Sequence, residues 1–147
     1  AVLAGRPGLV VRLSLLFGPS QIGRSSFYDD AIATLKRGEP RRFFNDEFRT
    51  PLDYATAAKA LVELSEQQLD GIVHLAGQER VSRFTLMRRI AAAIGLDPSL
   101  VEGNSRDDVA GFEPRPADLS LKTDRLAELL PNLTRPSIEE AARLMTG

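Results

Sequence analysis

Residues 9–20, Leu-Val-Val-Arg-Leu-Ser-Leu-Leu-Phe-Gly-Pro-Ser, narrow the choice of folds more than any other stretch of this chain. The first eight are apolar except Arg12 and Ser14, they are rich in branched side chains, and Gly18-Pro19 closes them. A strand buried on both faces reads this way before it breaks into a loop. Such a strand needs a sheet around it. Open parallel sheets bind ligands beyond the carboxyl ends of their strands, so the loop at 17–22 is the first place to expect a bound molecule. The rest of the chain offers little sheet for this strand to join.

A second strand of the same kind is expected at 72–75, Ile-Val-His-Leu, after the Asp70-Gly71 turn and before Ala76-Gly77. The strand-helix-strand order between the two implies a parallel crossover. Between them, Ser25 or Ser26 can cap a helix with Phe27, Ala31, Ile32 and Leu35 on one face and Gly38 past its end. Residues 41–44 read as a short strand and 45–51 as a polar loop. Asp53 then caps a helix with an apolar stripe of Tyr54, Ala57, Ala58, Leu61, Val62 and Leu64, predicted to run to about Leu69. Val81 adds an extended segment. Ser82 caps a third helix bearing Phe84, Met87, Ile90, Ala91 and Ile94 on one face and Arg83, Arg88 and Arg89 on the other, stopped by Gly95. Residues 98–101 suggest a turn of helix, 102–116 a long aperiodic loop of the sort that is more often functional than filler, and 119–121 a small strand. Two helices close the chain, the second with the Ser-x-x-Glu capping-box spacing at Ser137 and Glu140.

At 147 residues and 43% hydrophobic content the chain suffices for one core. With 19 basic and 20 acidic residues the net charge is -1, which argues against nucleic acid or an anionic membrane as a bulk partner and makes any anion site local. Most of the cations are arginine, whose fork suits phosphate and carboxylate. No cysteine is present, which excludes disulfides, thiolate metal sites and cysteine nucleophiles, and a cytoplasmic setting is expected. No apolar run reaches the roughly 20 residues that span a bilayer. The first eight residues read as the end of a helix stopped by Gly5 and Pro7, so the chain is expected to begin inside something larger.

Catalytic options are few. The only histidine, His74, sits within an apolar strand and is expected to be a packed, hydrogen-bonded histidine, and no second histidine or cysteine completes a metal site. No glycine-rich dinucleotide loop, Walker loop or nucleophile elbow is present, and no catalytic residue is assigned. Three residues suggest an anion site: Arg49 in the loop before a helix, and Arg115 with Asp118 at the end of the long loop. Two arginines from different loops can clamp a diphosphate, and a carboxylate three residues on can orient a guanidinium or accept from a ribose hydroxyl. Surface salt bridging is the alternative reading of the same spacing.

Arg12-Leu-Ser-Leu-Leu-Phe-Gly-Pro19, Phe27 opening a helix, Asn45-Asp-Glu-Phe-Arg-Thr-Pro51 leading into Tyr54-Ala55 and Ala57-Ala58, Ile72-Val-His-Leu-Ala-Gly77, and Arg115-Pro-Ala-Asp118 with Leu121 together resemble the C-terminal half of extended short-chain dehydrogenases. The subgroup they resemble most is dTDP-4-dehydrorhamnose reductase with related sugar-nucleotide epimerases and dehydratases. The resemblance implies an α/β fold, the C-terminal part of an extended Rossmann-type fold: late strands of the cofactor-binding sheet plus a small mixed α/β substrate lobe. It implies that residues 1–147 are the substrate-binding part of a larger NAD(P)-dependent protein. The glycine-rich loop and Tyr-x-x-x-Lys pair of that protein precede Ala1, so this chain alone is not expected to turn over. By the resemblance, Phe17, Gly18 and Pro19 lie beside the nicotinamide of NAD or NADP, and Arg49, Arg115 and Asp118 hold the diphosphate of a nucleotide-diphosphate sugar. Several epimerase-type relatives carry asparagine at the position of Leu15, and its absence here weighs against those branches. Two other functions stay open: a noncatalytic binding or regulatory member of the superfamily, and a small domain with no nucleotide ligand. Two strands without neighbours expose apolar faces and unpaired edges, so the N-terminal half or a second copy is expected to cover them.

Overall fold

Leu9 does begin a strand, and that strand stops sooner than its composition predicts. In the computed structural model, which describes residues 8–109 and 116–145, the elements in chain order are β1 (Leu9–Leu13), β2 (Leu16–Phe17), α1 (Phe27–Lys36), β3 (Arg41–Phe44), β4 (Phe48–Arg49), β5 (Leu52–Asp53), α2 (Tyr54–Ser65), β6 (Gly71–Leu75), β7 (Val81–Ser82), α3 (Arg83–Ala93), β8 (Val101–Asn104), α4 (Asp124–Leu129) and α5 (Ile138–Leu144). The helix end read before residue 8 and the position of Arg115 lie outside the described residues.

The fold is mixed α/β with mostly parallel strand pairs. β1 pairs in parallel with β6, Leu9 opposite Gly71 through Leu13 opposite Leu75. The single eight-residue strand predicted from composition is instead two. The Ser14 N–H still donates to the Leu75 carbonyl at 3.1 Å, but Leu52 N–H then donates to Leu15 O at 3.0 Å, and β2 continues in parallel with β5. The partner changes because β6 ends at Leu75 and the chain passes under the 50–51 backbone. There Gly77 comes so close that a Cβ would stand 2.0 Å from the Pro51 carbonyl oxygen, a gap only glycine leaves open. β1 is not buried on both faces either: Leu13 is exposed, as is Ile72 of β6, which sits opposite Val10.

The alternation of a strand splits the molecule into two cores at β2. Phe17 joins a core of Leu35, Phe43, Leu86, Met87, Ile90, Val101 and Ile138 between α1, α3, α5 and the parallel β3–β8 pair. Leu16 packs against a second core of Leu52, Ala57, Ala60, Leu64, Val73, Leu75 and Leu126, between β1–β6 and helices α2 and α4.

The helix starts are those the capping residues specify. Ser26 forms a full capping box with Asp29 on α1, Ser137 does so with Glu140 on α5, and Asp53 and Ser82 accept the Thr56 and Thr85 N–H groups on α2 and α3. Three expectations need correcting. α2 ends at Ser65, and Tyr54, Leu61 and Val62 of its predicted stripe face outward while Thr56, Ala57, Ala60 and Leu64 face inward. The stretch predicted as loop from residue 102 opens as a strand, because β8 completes a pair with β3. Residues 119–121 form no strand; the pairing falls at Asp118 instead. Among the described residues no helix is long and apolar enough to cross a membrane.

Candidate functional site

β4 is two residues long and collects three separate segments. On one side it pairs antiparallel with β7, Phe48 opposite Ser82 and Arg49 opposite Val81. On the other, the Phe48 N–H donates to Ala117 O at 2.7 Å and the Leu119 N–H donates to Phe48 O at 3.1 Å, bridging Phe48 to Asp118. The loop before α2, the turn before α3 and the segment after residue 116 therefore meet at Phe48.

Charge is concentrated at this meeting point. Glu47 is 2% exposed, with one carboxylate oxygen 3.3 Å from Arg83 Nε and 3.9 Å from Arg49 Nη2. Its other oxygen, Oε1, is buried with no hydrogen-bond partner among the described residues. Arg49 also donates from Nη1 to the Phe48 carbonyl at 2.7 Å, and its side chain is 12% exposed. Arg80 lies over the Phe48 ring, 3.7 Å from guanidinium carbon to ring centroid, and donates from Nε to Asp118 Oδ2 at 2.7 Å. Asp118 Oδ1 accepts the Ser120 N–H at 2.9 Å. The Ser120 hydroxyl and N–H, followed by the Arg80 guanidinium, pull the Asp118 carboxyl down to about 2. Among the described residues this meeting point gathers three arginines, and the guanidinium fork is a group that pairs with phosphate oxygens.

A neighbouring tie holds the loop's other end. Asp46 accepts from the Ser105 hydroxyl at 2.7 Å and the Arg106 N–H at 3.1 Å. Burial pushes its pKa up, and these two donors with the Arg106 guanidinium outweigh that and lower it.

Of the residues read from sequence as anion-binding, Arg49 and Asp118 are brought to the two flanks of Phe48. Arg49 is largely spent on Glu47 and a backbone carbonyl, and the guanidinium that Asp118 engages is Arg80. Arg115 lies outside the described residues. Sequence reasoning missed Glu47, Phe48 and Arg80, and placed Arg83 only on an outer helix face. The available signal was that Arg80 and Arg83 bracket the extended segment at Val81.

Phe17, Gly18 and Pro19 lie on the connection from β2 to α1. Phe17 is 2% exposed and belongs to the core. Gly18 has φ +137°, and a Cβ there would meet Met145 Sδ at 2.7 Å and the Tyr54 ring at 2.9 Å. Pro19 lines a mainly apolar cleft of about 550 Å³ with Ile22, Tyr54, Ala58 and Met145. The His74 Nδ1–H donates to the Lys122 carbonyl, 3.1 Å away, and the residue is half-buried in β6. Among the described residues no cluster of three His, Cys, Asp or Glu side chains could hold a metal ion.

Against known proteins, a family model described as the RmlD substrate binding domain matches residues 1–145. A curated relative, "Probable low-salt glycan biosynthesis reductase Agl14" of Haloferax volcanii, is 26% identical over 136 residues, 90% of this chain and 44% of that protein. The crystal structure of dTDP-4-dehydrorhamnose reductase from Bacillus anthracis in complex with NADP superposes with a TM-score of 0.79 at 21% identity, over 94% of this chain and 47% of that one. A hypothetical dTDP-4-dehydrorhamnose reductase from Sulfolobus tokodaii is 31% identical with a TM-score of 0.71, over 89% and 45%. The chain thus spans about half the length of the proteins it matches.

Proposed function

This chain belongs to the RmlD substrate binding domain family, and from that premise we propose that it binds the nucleotide-diphosphate sugar of an NAD(P)-dependent reductase or epimerase. Residues 1–147 are, in this reading, the C-terminal substrate lobe of a longer protein whose other part carries the cofactor-binding loop and the proton-relay pair. The observation that carries the reading is the convergence at Phe48, where Arg49, Arg80 and Asp118 from separate segments come together. A nucleoside diphosphate pairs with such guanidinium groups through forked hydrogen bonds. Arg49, Arg115 and Asp118 are assigned to that substrate. Phe17, Gly18 and Pro19 are assigned to the cofactor side: Pro19 and the Gly18 backbone at the cleft, Phe17 through the packing that fixes them. The cofactor, NAD or NADP, supplies the hydride chemistry when bound, and this lobe supplies donor affinity and orientation. That the relative from Bacillus anthracis was solved with NADP supports the choice of cofactor class.

Calorimetric titration with dTDP, UDP and NADPH in parallel tests the reading. Micromolar binding of dTDP or UDP, weakened about tenfold or more by Arg115→Ala, is the expected outcome, with no NADPH binding by this lobe alone. Millimolar or absent binding of every nucleotide by the intact protein overturns it.

A further inference from the structure

We propose that Arg80 is a diphosphate-binding arginine of this lobe and that Asp118 acts through it as a positioning residue, holding its guanidinium flat on Phe48. The inference rests on the nucleotide-sugar reading above and changes what Asp118 does within it. Asp118 engages Arg80 at Nε, the inner side of the fork, at 2.7 Å. Phe48 supports one face of the guanidinium at 3.7 Å. Nε and one face are therefore occupied by protein, which leaves the two terminal nitrogens as the edge available to a ligand. That edge is the one that pairs with phosphate oxygens.

Both supports of Arg80 are themselves fixed. Phe48 is pinned by β7 on one side and the 117–119 backbone on the other, and Asp118 is tied by the Ser120 N–H. An arginine restrained in this way loses little rotamer freedom on binding. Arg80 is half-exposed, so the ion pair with Asp118 by itself contributes little to folding. The arrangement orients a charge at the surface more than it stabilises the fold. Arg49, by contrast, is 12% exposed and has both ends of its fork engaged by Glu47 and the Phe48 carbonyl, so the more accessible cation on this loop cluster is Arg80.

A double-mutant cycle on the intact protein tests this, with inorganic pyrophosphate, dTDP and thymidine as calorimetric probes. Arg80→Gln should weaken pyrophosphate and dTDP about tenfold and leave thymidine unchanged, a pattern that a merely structural loss would not produce. Asp118→Asn should weaken the two phosphate probes by a similar factor in the wild-type background and have no further effect when Arg80 is already Gln. Arg80→Lys, which keeps the charge and loses the fork, should restore part of the loss. An equal Asp118→Asn penalty in both backgrounds would mean that Asp118 touches the ligand itself and would overturn the proposal while leaving the nucleotide reading intact. An unchanged pyrophosphate affinity in Arg80→Gln would overturn it too. Failure of the wild-type protein to bind either phosphate probe would remove the nucleotide reading and this inference together.

Discussion

At the scale of single residues, Glu47 carries the largest electrostatic obligation in the described structure. A carboxylate that is 2% exposed avoids its desolvation cost only by facing cations, and Arg83 and Arg49 are those cations. Removing it takes away the buried carboxylate that both guanidiniums face. Glu47→Ala should therefore destabilise by about 2–4 kcal/mol, the lower part of that range reflecting the partial exposure of Arg83. Glu47→Gln, which keeps the shape, should cost less. Urea denaturation compares them, and a loss below about 0.5 kcal/mol for Glu47→Ala would show that the charge is not needed for the fold. Sequence reading saw Glu47 as one polar residue in a polar loop. Its burial comes from the antiparallel pairing of β4 with β7, a contact across 33 intervening positions in the chain.

At the scale of elements, the edge of the β1–β6 pair shows how a strand is terminated. Arg125, from α4, donates from Nη1 to the Ile72 carbonyl at 2.9 Å and from Nη2 to the Asp70 carbonyl at 2.6 Å. Farther along, the Lys122 carbonyl meets His74. The Ile72 and Asp70 carbonyls, acceptors that would recruit another strand, are thus occupied by Arg125, a common way to blunt an edge. Nothing comparable covers the far side of β1 among the described residues, so that side is where further parallel strands are expected to add. Arg125→Ala should cost only about 1 kcal/mol in stability while raising concentration-dependent association through the uncovered β6 edge, measured by light scattering. An unchanged scattering profile would refute the edge-guard role. Arg125 is an ordinary surface arginine in sequence, since only the docking of α4 on β6 gives it a function.

At the scale of the whole molecule, the apolar side chains left outside form a pattern. Tyr54, Leu61 and Val62 on α2, with Leu13 and Ile72 on the small sheet, are exposed. Among the described residues β1–β6 is a two-stranded parallel sheet, and parallel sheets are ordinarily covered on both faces. In the proposed longer protein, the other part is what covers these side chains. In isolation the 147-residue chain should self-associate at micromolar concentration, and Leu61→Lys combined with Val62→Glu should reduce that association with little change in folding stability. Sedimentation velocity decides the matter: a monodisperse 16.1 kDa monomer at high concentration would contradict it.

What the sequence by itself determined is whatever depends on neighbours a few residues apart. Ser26, Asp53, Ser82 and Ser137 start their helices because each side-chain oxygen reaches the N–H three positions on. The β1 and β6 strands, the mixed α/β class and the family resemblance were legible for the same reason, as runs and short motifs. Tertiary structure decided where the first strand changes partner, because β6 runs out at Leu75 and Leu52 takes over at Leu15. It decided which face of α2 is inward, because α2 carries apolar residues on more than one side and the β1–β6 core selects Ala57, Ala60 and Leu64. It also decided the composition of the charged cluster. Arg49, Arg80 and Asp118 are dispersed along the chain and meet only because Phe48 pairs on both sides at once. Helix caps depend on chemistry within one turn, whereas this site depends on strand pairing across the chain, which no local pattern specifies.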